Sequence, residues 1–180
     1  MTAPRILDRR LAWECPYVDV VEKDVDLGGP RGVETFWSVR TGGYAAIVAV
    51  TQEGLILLVR QYRPAVEAYV LELPSGAIDA NESPEAAARR ELLEETGYEG
   101  RELVFLGQLH VDSGRLETQQ WAYFAPDVRL VNDRPTGEEE LEVLFVTPSE
   151  LKKAILRGEF NLSVHVGIVG LAVLTGRLAL

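Results

Sequence analysis

Apolar residues along the chain follow two rhythms. "YVDVVEKDVDL" (17–27) and "VETFWSVR" (33–40) alternate apolar with polar positions at the period of a strand, and "GGPRG" between them is turn-forming, so an antiparallel hairpin is predicted. A strand-rich middle follows in "YAAIVAVT", "GLILLVRQYR", "LVFLGQLHV", "QQWAYFAP" and "EVLFVTP". Helical period replaces this alternation over Pro84 to Thr96 and from about Pro148 to Arg157, with "SVHVGIVGLAVL" as a third candidate. Breaks fall at "DLGGPRG", "TGG" and "NDRPTGEEE", where Gly, Pro, Asn and Asp cluster. Strands mixed with a few helices, without regular βαβ alternation, predict an α/β sandwich and not a doubly wound sheet.

Composition narrows the partners. With 47% hydrophobic and 26% charged residues over 180 positions, the chain is globular and long enough for one core. A net charge of −10 with no Lys/Arg-rich run argues against nucleic acid or an anionic membrane as partner, and a small anionic substrate would need a local cation. The longest apolar tract, "VGIVGLAVL", is far too short to span a bilayer and reads as a buried helix. A single cysteine, Cys15, excludes an internal disulfide and a multi-thiolate metal site, and "MTAPRILDRRLAWE" has no apolar signal core; both fit a reducing cytoplasm. His110 and His165 have no His or Cys partner at zinc-ligand spacing and read as core or surface histidines.

One stretch resists a purely structural reading. In "GAIDANESPEAAARRELLEETGY" (76–98), Ser83 suits an N-cap, Pro84 the first helical position and Gly97 the left-handed residue after the C-cap, so a helix is bracketed from sequence. Glu91, Glu94 and Glu95 then share one face of its last turns. There the dipole disfavours carboxylates, and like charges three or four apart cost a few tenths of a kcal/mol each. A solvated acidic face is the plain explanation. A bound divalent cation reverses the sign of the problem, and clustered carboxylates suit Mg²⁺, with Mn²⁺ as the alternative.

The same residues carry a resemblance. Gly76, Glu82 and Arg90-Glu91-Leu92-Leu93-Glu94-Glu95-Thr96-Gly97-Tyr98 stand at the spacing Gly-x5-Glu-x7-Arg-Glu-U-x-Glu-Glu-x-Gly-U of the Nudix box, with Tyr98 where a bulky aliphatic is usual. The chain thus resembles the Nudix hydrolases. The resemblance implies their fold, a mixed β-sheet between helices, here with the N-terminal hairpin as an extension: residues 1–43 for the extension and 44–180 for the hydrolase domain. It implies hydrolysis of a nucleoside diphosphate linked to another group. It also implies Glu91, Glu94 and Glu95 as metal ligands with the Ser75 carbonyl, Glu94 and Glu95 as catalytic, and Glu82 with Arg90 as a structural ion pair.

"LLVRQYRPAVEAYVLELPSGAID" (57–79) is similar to the segment before the box in ADP-ribose pyrophosphatases and related nucleoside-diphosphate-sugar hydrolases. Under that resemblance Arg63 is a phosphate-binding cation and Glu72 a cleft residue; a surface arginine and an edge-strand charge are the plain alternatives. Downstream, "HVDSGRLETQQ" places Ser113 where those enzymes commonly carry Pro before Gly, so Arg115 and Glu117 become candidates for recognising a different distal sugar, against a solvated turn. Before "LEVLFV" the resembled enzymes place a glutamate that serves as general base or extra metal ligand; among Glu138, Glu139 and Glu140 the resemblance, by spacing from that strand, implies Glu139, against an acidic loop.

A lone hairpin is marginal in water, and this one carries apolar groups on both faces: Val18, Val20, Phe36 and Ser38 on one, Tyr17, Trp37 and Val39 on the other. A second subunit accounts for both, in line with the two-fold dimers of the resembled enzymes. Phe36 or Trp37 is then expected to stack on the substrate base. The expected function is Mg²⁺-dependent cleavage of ADP-ribose or another nucleoside diphosphate sugar. The alternatives are a non-catalytic Nudix-like sensor and a pyrophosphatase of nucleoside triphosphates or dinucleoside polyphosphates.

Overall fold

The computed structural model describes residues 3–132 and 141–180. The chain divides into two compact units, residues 1–43 with 110–119 and residues 44–109 with 120–180.

In the first unit the expected hairpin is present as β2 (Asp19–Asp26) and β3 (Val33–Arg40), but a third strand, β1 (Arg5–Glu14), pairs antiparallel with β2 to give the order β1-β2-β3. Every residue of β1 is exposed. No apolar face announces it in the sequence; its ladder and the Arg10 guanidinium, which bonds Asp8, Glu22 and Asp24 at 2.5, 2.5 and 2.7 Å, hold it instead. The pairing Val20↔Val39 and Glu22↔Trp37 also corrects the expected faces. Val20 shares the face of Trp37, not that of Phe36, because opposed residues of an antiparallel pair point the same way and a shift of one position flips the whole set. Beyond β3 the loop 110–119 is tied in through its backbone, with Val39 N–H donating to the Arg115 carbonyl (2.8 Å) and Glu117 N–H to the Val39 carbonyl (2.9 Å).

In the second unit the strands are β4 (Tyr44–Thr51), β5 (Ile56–Arg63), β6 (Ala68–Glu72), β7 (Ser75–Ala77), β8 (Tyr98–Glu99), β9 (Val104–His110), β10 (Gln119–Leu130) and β11 (Glu142–Val146). They form one mixed sheet along β11-β5-β4-β10-β8, with β4 and β10 parallel, β6 on β5, β7 on β4 and β9 on β10. Helix α1 (Pro84–Thr96) covers one face; α2 (Pro148–Arg157) and α3 (Ser163–Leu174) cover the other. This explains why β4 reads as an unbroken apolar run. Ala46 and Val48 enter the core with α2 and α3, while Ala45, Ile47 and Ala49 enter the core with α1, so both faces are buried.

The helices stop and start where local chemistry directs. Ser83 caps α1 by accepting the Ala86 N–H at 3.1 Å, and Gly97 closes it in the left-handed region at φ 74 with its N–H on the Leu93 carbonyl. A capping box of Thr147 and Glu150 opens α2. The apolar tract forms α3, which buries His165, Ile168, Val169 and Ala172 on one face and leaves Val173 and Leu174 exposed at its end, so the expected buried helix is only half buried. Among the described residues no helix is long and apolar enough to cross a membrane.

Candidate functional site

Arg90, in the middle of α1, organises the glutamate-rich stretch. Its Nε and Nη2 donate to the two oxygens of Glu82 at 3.1 and 2.9 Å, and Nη2 also reaches the Ala77 carbonyl at 2.8 Å. Nη1 donates to Glu91 (2.6 Å) and Glu94 (3.1 Å). The expected Glu82–Arg90 pair is therefore present and fastens the loop after β7 to the helix. It holds the Glu82 carboxyl below its usual range, chiefly through the Arg90 hydrogen bond. The same arginine offsets the crowding of negative charge at the end of α1, a compensation the expectation of simple repulsion omitted. Arg90→Ala should lower the melting temperature by several degrees, since it removes the guanidinium from two carboxylates that are mostly shielded from water. An unchanged melting curve would show that these bonds are not made in solution.

Glu91, Glu94 and Glu95 occupy different settings. Glu95 is buried at 6% exposure and accepts the Ser75 N–H at 2.8 Å, which joins the end of α1 to β7. Glu91 lies against Gly76, where an added Cβ would stand 2.1 Å from its carboxyl carbon. Glu94 is the most exposed of the three. Among the described residues no three Asp, Glu, His or Cys side chains converge closely enough to hold a metal ion, because Glu91 and Glu94 turn to Arg90 and Glu95 to Ser75. The donor chemistry nonetheless fits a hard divalent cation. Three carboxylates stand on the last turns of α1, Glu91 and Glu95 of them beside the Ser75–Gly76 backbone, and the missing side chain of Gly76 makes the space in which the Glu91 carboxylate lies.

Arg63 and Glu72 meet across β5 and β6. Glu72 is 4% exposed and receives Nε and Nη2 of Arg63 at 3.0 and 2.6 Å, with Gln61 Nε2 at 3.3 Å. Burial rules out the edge-charge reading of Glu72. Both residues line a cleft of about 990 Å³ whose walls include Arg60 over the Tyr69 ring, Asn161 and Ser163. The three box glutamates do not line it.

The remaining sequence candidates lie elsewhere. Phe36 and Trp37 stand exposed on β3 in the first unit. Arg115 is among the most exposed side chains of that unit, with Asp112 at 4.0 Å. Glu117 does not stand open to a sugar. It accepts the Ser38 hydroxyl at 2.6 Å and pairs with Lys23, and these bonds, Lys23 first, hold its carboxyl below the usual range. Glu139 lies outside the described residues. Of the two histidines read as core or surface residues, His165 is buried, and its partner is one no local spacing encodes: it accepts the Leu73 N–H on Nδ1 at 3.1 Å across 92 positions.

Residues 41–163 match the NUDIX domain. The chain belongs to the NUDIX family. It is a pyrophosphohydrolase of that family, whose members use divalent metal ions. It is 30% identical over 141 residues to the ADP-ribose pyrophosphatase of Bacillus subtilis (strain 168), covering 77% of this chain and 75% of that one. Against the ADP-ribose pyrophosphatase of Mycobacterium tuberculosis the identity is 33% over 150 residues, 81% of this chain and 72% of the relative. A CMP-5'-(N-acetyl-N-hydroxy-3-aminopropyl)phosphonate hydrolase of Streptomyces rubellomurinus is 30% identical over 165 residues, 92% of this chain and 79% of the other. A solved structure of an ADP compounds hydrolase superposes with a TM-score of 0.83 at 23% identity, over 99% of this chain and 98% of that one, which supports the Nudix fold.

Proposed function

We propose that this NUDIX protein cleaves the pyrophosphate bond of ADP-ribose or a related nucleoside diphosphate sugar with Mg²⁺, releasing a nucleoside monophosphate and a sugar phosphate. The observation that carries the reading is the placement of Glu91 against Gly76 and of Glu95 on the Ser75 N–H, with Glu94 held by Arg90 on the same helix; Ser75 lies three residues along the chain from Glu72, which holds Arg63 in a cleft of nucleotide size. Glu91, Glu94, Glu95 and the Ser75 carbonyl would hold the metal; when bound it neutralises the diphosphate and acidifies a water for in-line attack. Arg90 orients two of these carboxylates, and the Ser75 N–H fixes the third. Glu72 holds Arg63 in a fixed pose within the cleft, where its cationic charge meets the substrate phosphates in a chain otherwise strongly acidic. By its spacing from β11, Glu139 is the candidate for taking the proton of the attacking water.

Residues 1–43 serve in this reading as an extension for dimerisation, with residues 44–180 as the catalytic domain. Phe36 or Trp37 stacks on the nucleotide base in a homodimer working in the cytoplasm, and Arg115 meets the distal sugar. The exposure of both aromatics on β3 supports this. The relatives named above act on ADP-ribose and on a CMP-linked phosphonate, so base and distal group are decided by a panel of ADP-ribose, GDP-mannose, UDP-glucose, CMP-linked phosphonate, dATP and a dinucleoside polyphosphate, scored by kcat/KM with Mg²⁺. ADP-ribose is expected to lead. A leading triphosphate would overturn the substrate class, and no turnover at all would favour the sensor. Ala at the stacking position should raise KM about tenfold at unchanged oligomeric state, given roughly 1–3 kcal/mol for base–aromatic stacking. A fully active monomer of 19.9 kDa in light scattering would refute the shared site.

A further inference from the structure

The chain leaves one neighbour and joins another between Glu72 and Ser75. Glu72 still pairs with Val59 of β5, and Ser75 already pairs with Ala46 of β4. The two residues between them need their backbone groups satisfied without an ordinary ladder. Pro74 has no N–H, and its carbonyl accepts the Ile47 N–H at 3.0 Å. Leu73 is fully buried, and its N–H is received by Nδ1 of His165, reaching across from α3. A buried N–H left without an acceptor is costly, so this bond fixes where the crossing occurs. His165 is itself 3% exposed, and burial pushes its imidazole down to about 4, which keeps it neutral with Nδ1 as acceptor and the proton on Nε2.

On either side of this crossing stand the two halves of the site. One residue upstream, Glu72 holds Arg63 in the cleft; two residues downstream, the Ser75 N–H holds Glu95. We infer that His165 is a positioning residue for the reaction: by holding the Leu73 N–H it sets the register in which Ser75 meets Glu95 and Glu72 meets Arg63. Neither an imidazole–substrate contact nor proton transfer by His165 is involved. The inference rests on the proposed metal site for its Mn²⁺ readout and on the proposed hydrolysis for its kinetic readout.

Two variants separate this role from filling the core. His165→Leu keeps an apolar volume without an acceptor, whereas His165→Asn places Oδ1 where Nδ1 stood. Three quantities are measured: exchange of the Leu73 amide by NMR, affinity for Mn²⁺ alone by titration, and kcat against KM on the leading substrate of the panel. In His165→Leu the Leu73 amide is expected to exchange at least about tenfold faster and Mn²⁺ affinity to fall about tenfold, the effect typical of losing a group that orients metal ligands. With substrate, kcat should fall more than KM rises. His165→Asn should restore all three. A His165→Leu protein that folds with unchanged Leu73 exchange and Mn²⁺ affinity overturns the inference and leaves a core histidine. So does a folded His165→Asn protein that binds Mn²⁺ as weakly as His165→Leu. If His165→Leu does not fold, His165→Asn decides alone: native Mn²⁺ affinity supports the role, and loss at a native melting temperature refutes it. If no nucleotide is turned over, the proposed function fails while the exchange and Mn²⁺ readings still judge His165.

Discussion

Glu94→Gln should reduce kcat/KM by on the order of 10²–10³-fold while leaving the fold intact, the size expected when one preorganised electrostatic contact at the reacting phosphate is lost. Glu94 is the exposed member of the acidic trio, so its replacement disturbs no buried group. It accepts from Arg90, which keeps Glu82 and Glu91 when Glu94 is neutralised. Removing one of several like charges at the end of α1 offsets the lost pair, and stability should stay within about 0.5 kcal/mol. Glu95→Gln tests the buried member. The amide oxygen can still accept the Ser75 N–H, but the new amide hydrogens enter a site of 6% exposure, so activity should fall as far and stability somewhat with it. Near-normal turnover by Glu94→Gln at saturating Mg²⁺ would sink the metal-ligand assignment.

The two glycines of the same motif should fail in opposite ways when each is changed to alanine. At Gly76 the new Cβ meets the carboxylate of Glu91 at 2.1 Å, the far end of a flexible side chain that can swing aside. Folding should survive within about 1 kcal/mol. Catalysis should not, because the displaced group is one of the proposed ligands; a loss of about 10²-fold in kcat/KM is expected. At Gly97 the backbone is left-handed at φ 74, and a Cβ would stand 1.9 Å from the Asn132 carbonyl oxygen. Backbone on both sides leaves little freedom to relax. Left-handed strain alone costs about 1–2 kcal/mol, and the clash adds to it, so the melting temperature should drop by roughly 5 °C or more, with the specific activity of the folded fraction retained. Thermal melts and steady-state kinetics on both variants settle the division. Full activity in a folded Gly76→Ala protein would show that the Glu91 carboxylate has no part in the chemistry.

Much of this protein is legible from the sequence because the signals are local. Ser83, Pro84 and Gly97 bracket α1 through caps made within a few residues, and α2 shows by its helical period from Pro148 to Arg157. β4 announces itself by an unbroken apolar run, since it is buried on both faces, and α3 by its apolar composition, although only its His165, Ile168, Val169 and Ala172 face is fully buried. The spacing from Gly76 to Tyr98 holds the carboxylates, their arginine and the Glu82 pair within one loop and one helix, so the residue types alone placed them together.

What the tertiary structure alone decided depends on groups far apart in the chain. β1 carries no apolar stripe and exists through its ladder with β2 and the charges around Arg10. The faces of the hairpin turned on a register that alternation permits in more than one way, and Val20↔Val39 moved Val20 to the side of Trp37. Glu117 reads as a candidate for sugar recognition until Lys23 and Ser38 are found beside it. Glu72 reads as a cleft residue under the resemblance and as an edge-strand charge otherwise, and only its burial against Arg63 of β5 decides between them. His165, without a partner at any ligand spacing, acquires one only when α3 is laid against the crossing from β6 to β7. Periodicity and caps are fixed by neighbours within a turn or a strand, whereas register, burial of a charge and the fate of a single backbone N–H are fixed by which distant segments the fold brings into contact.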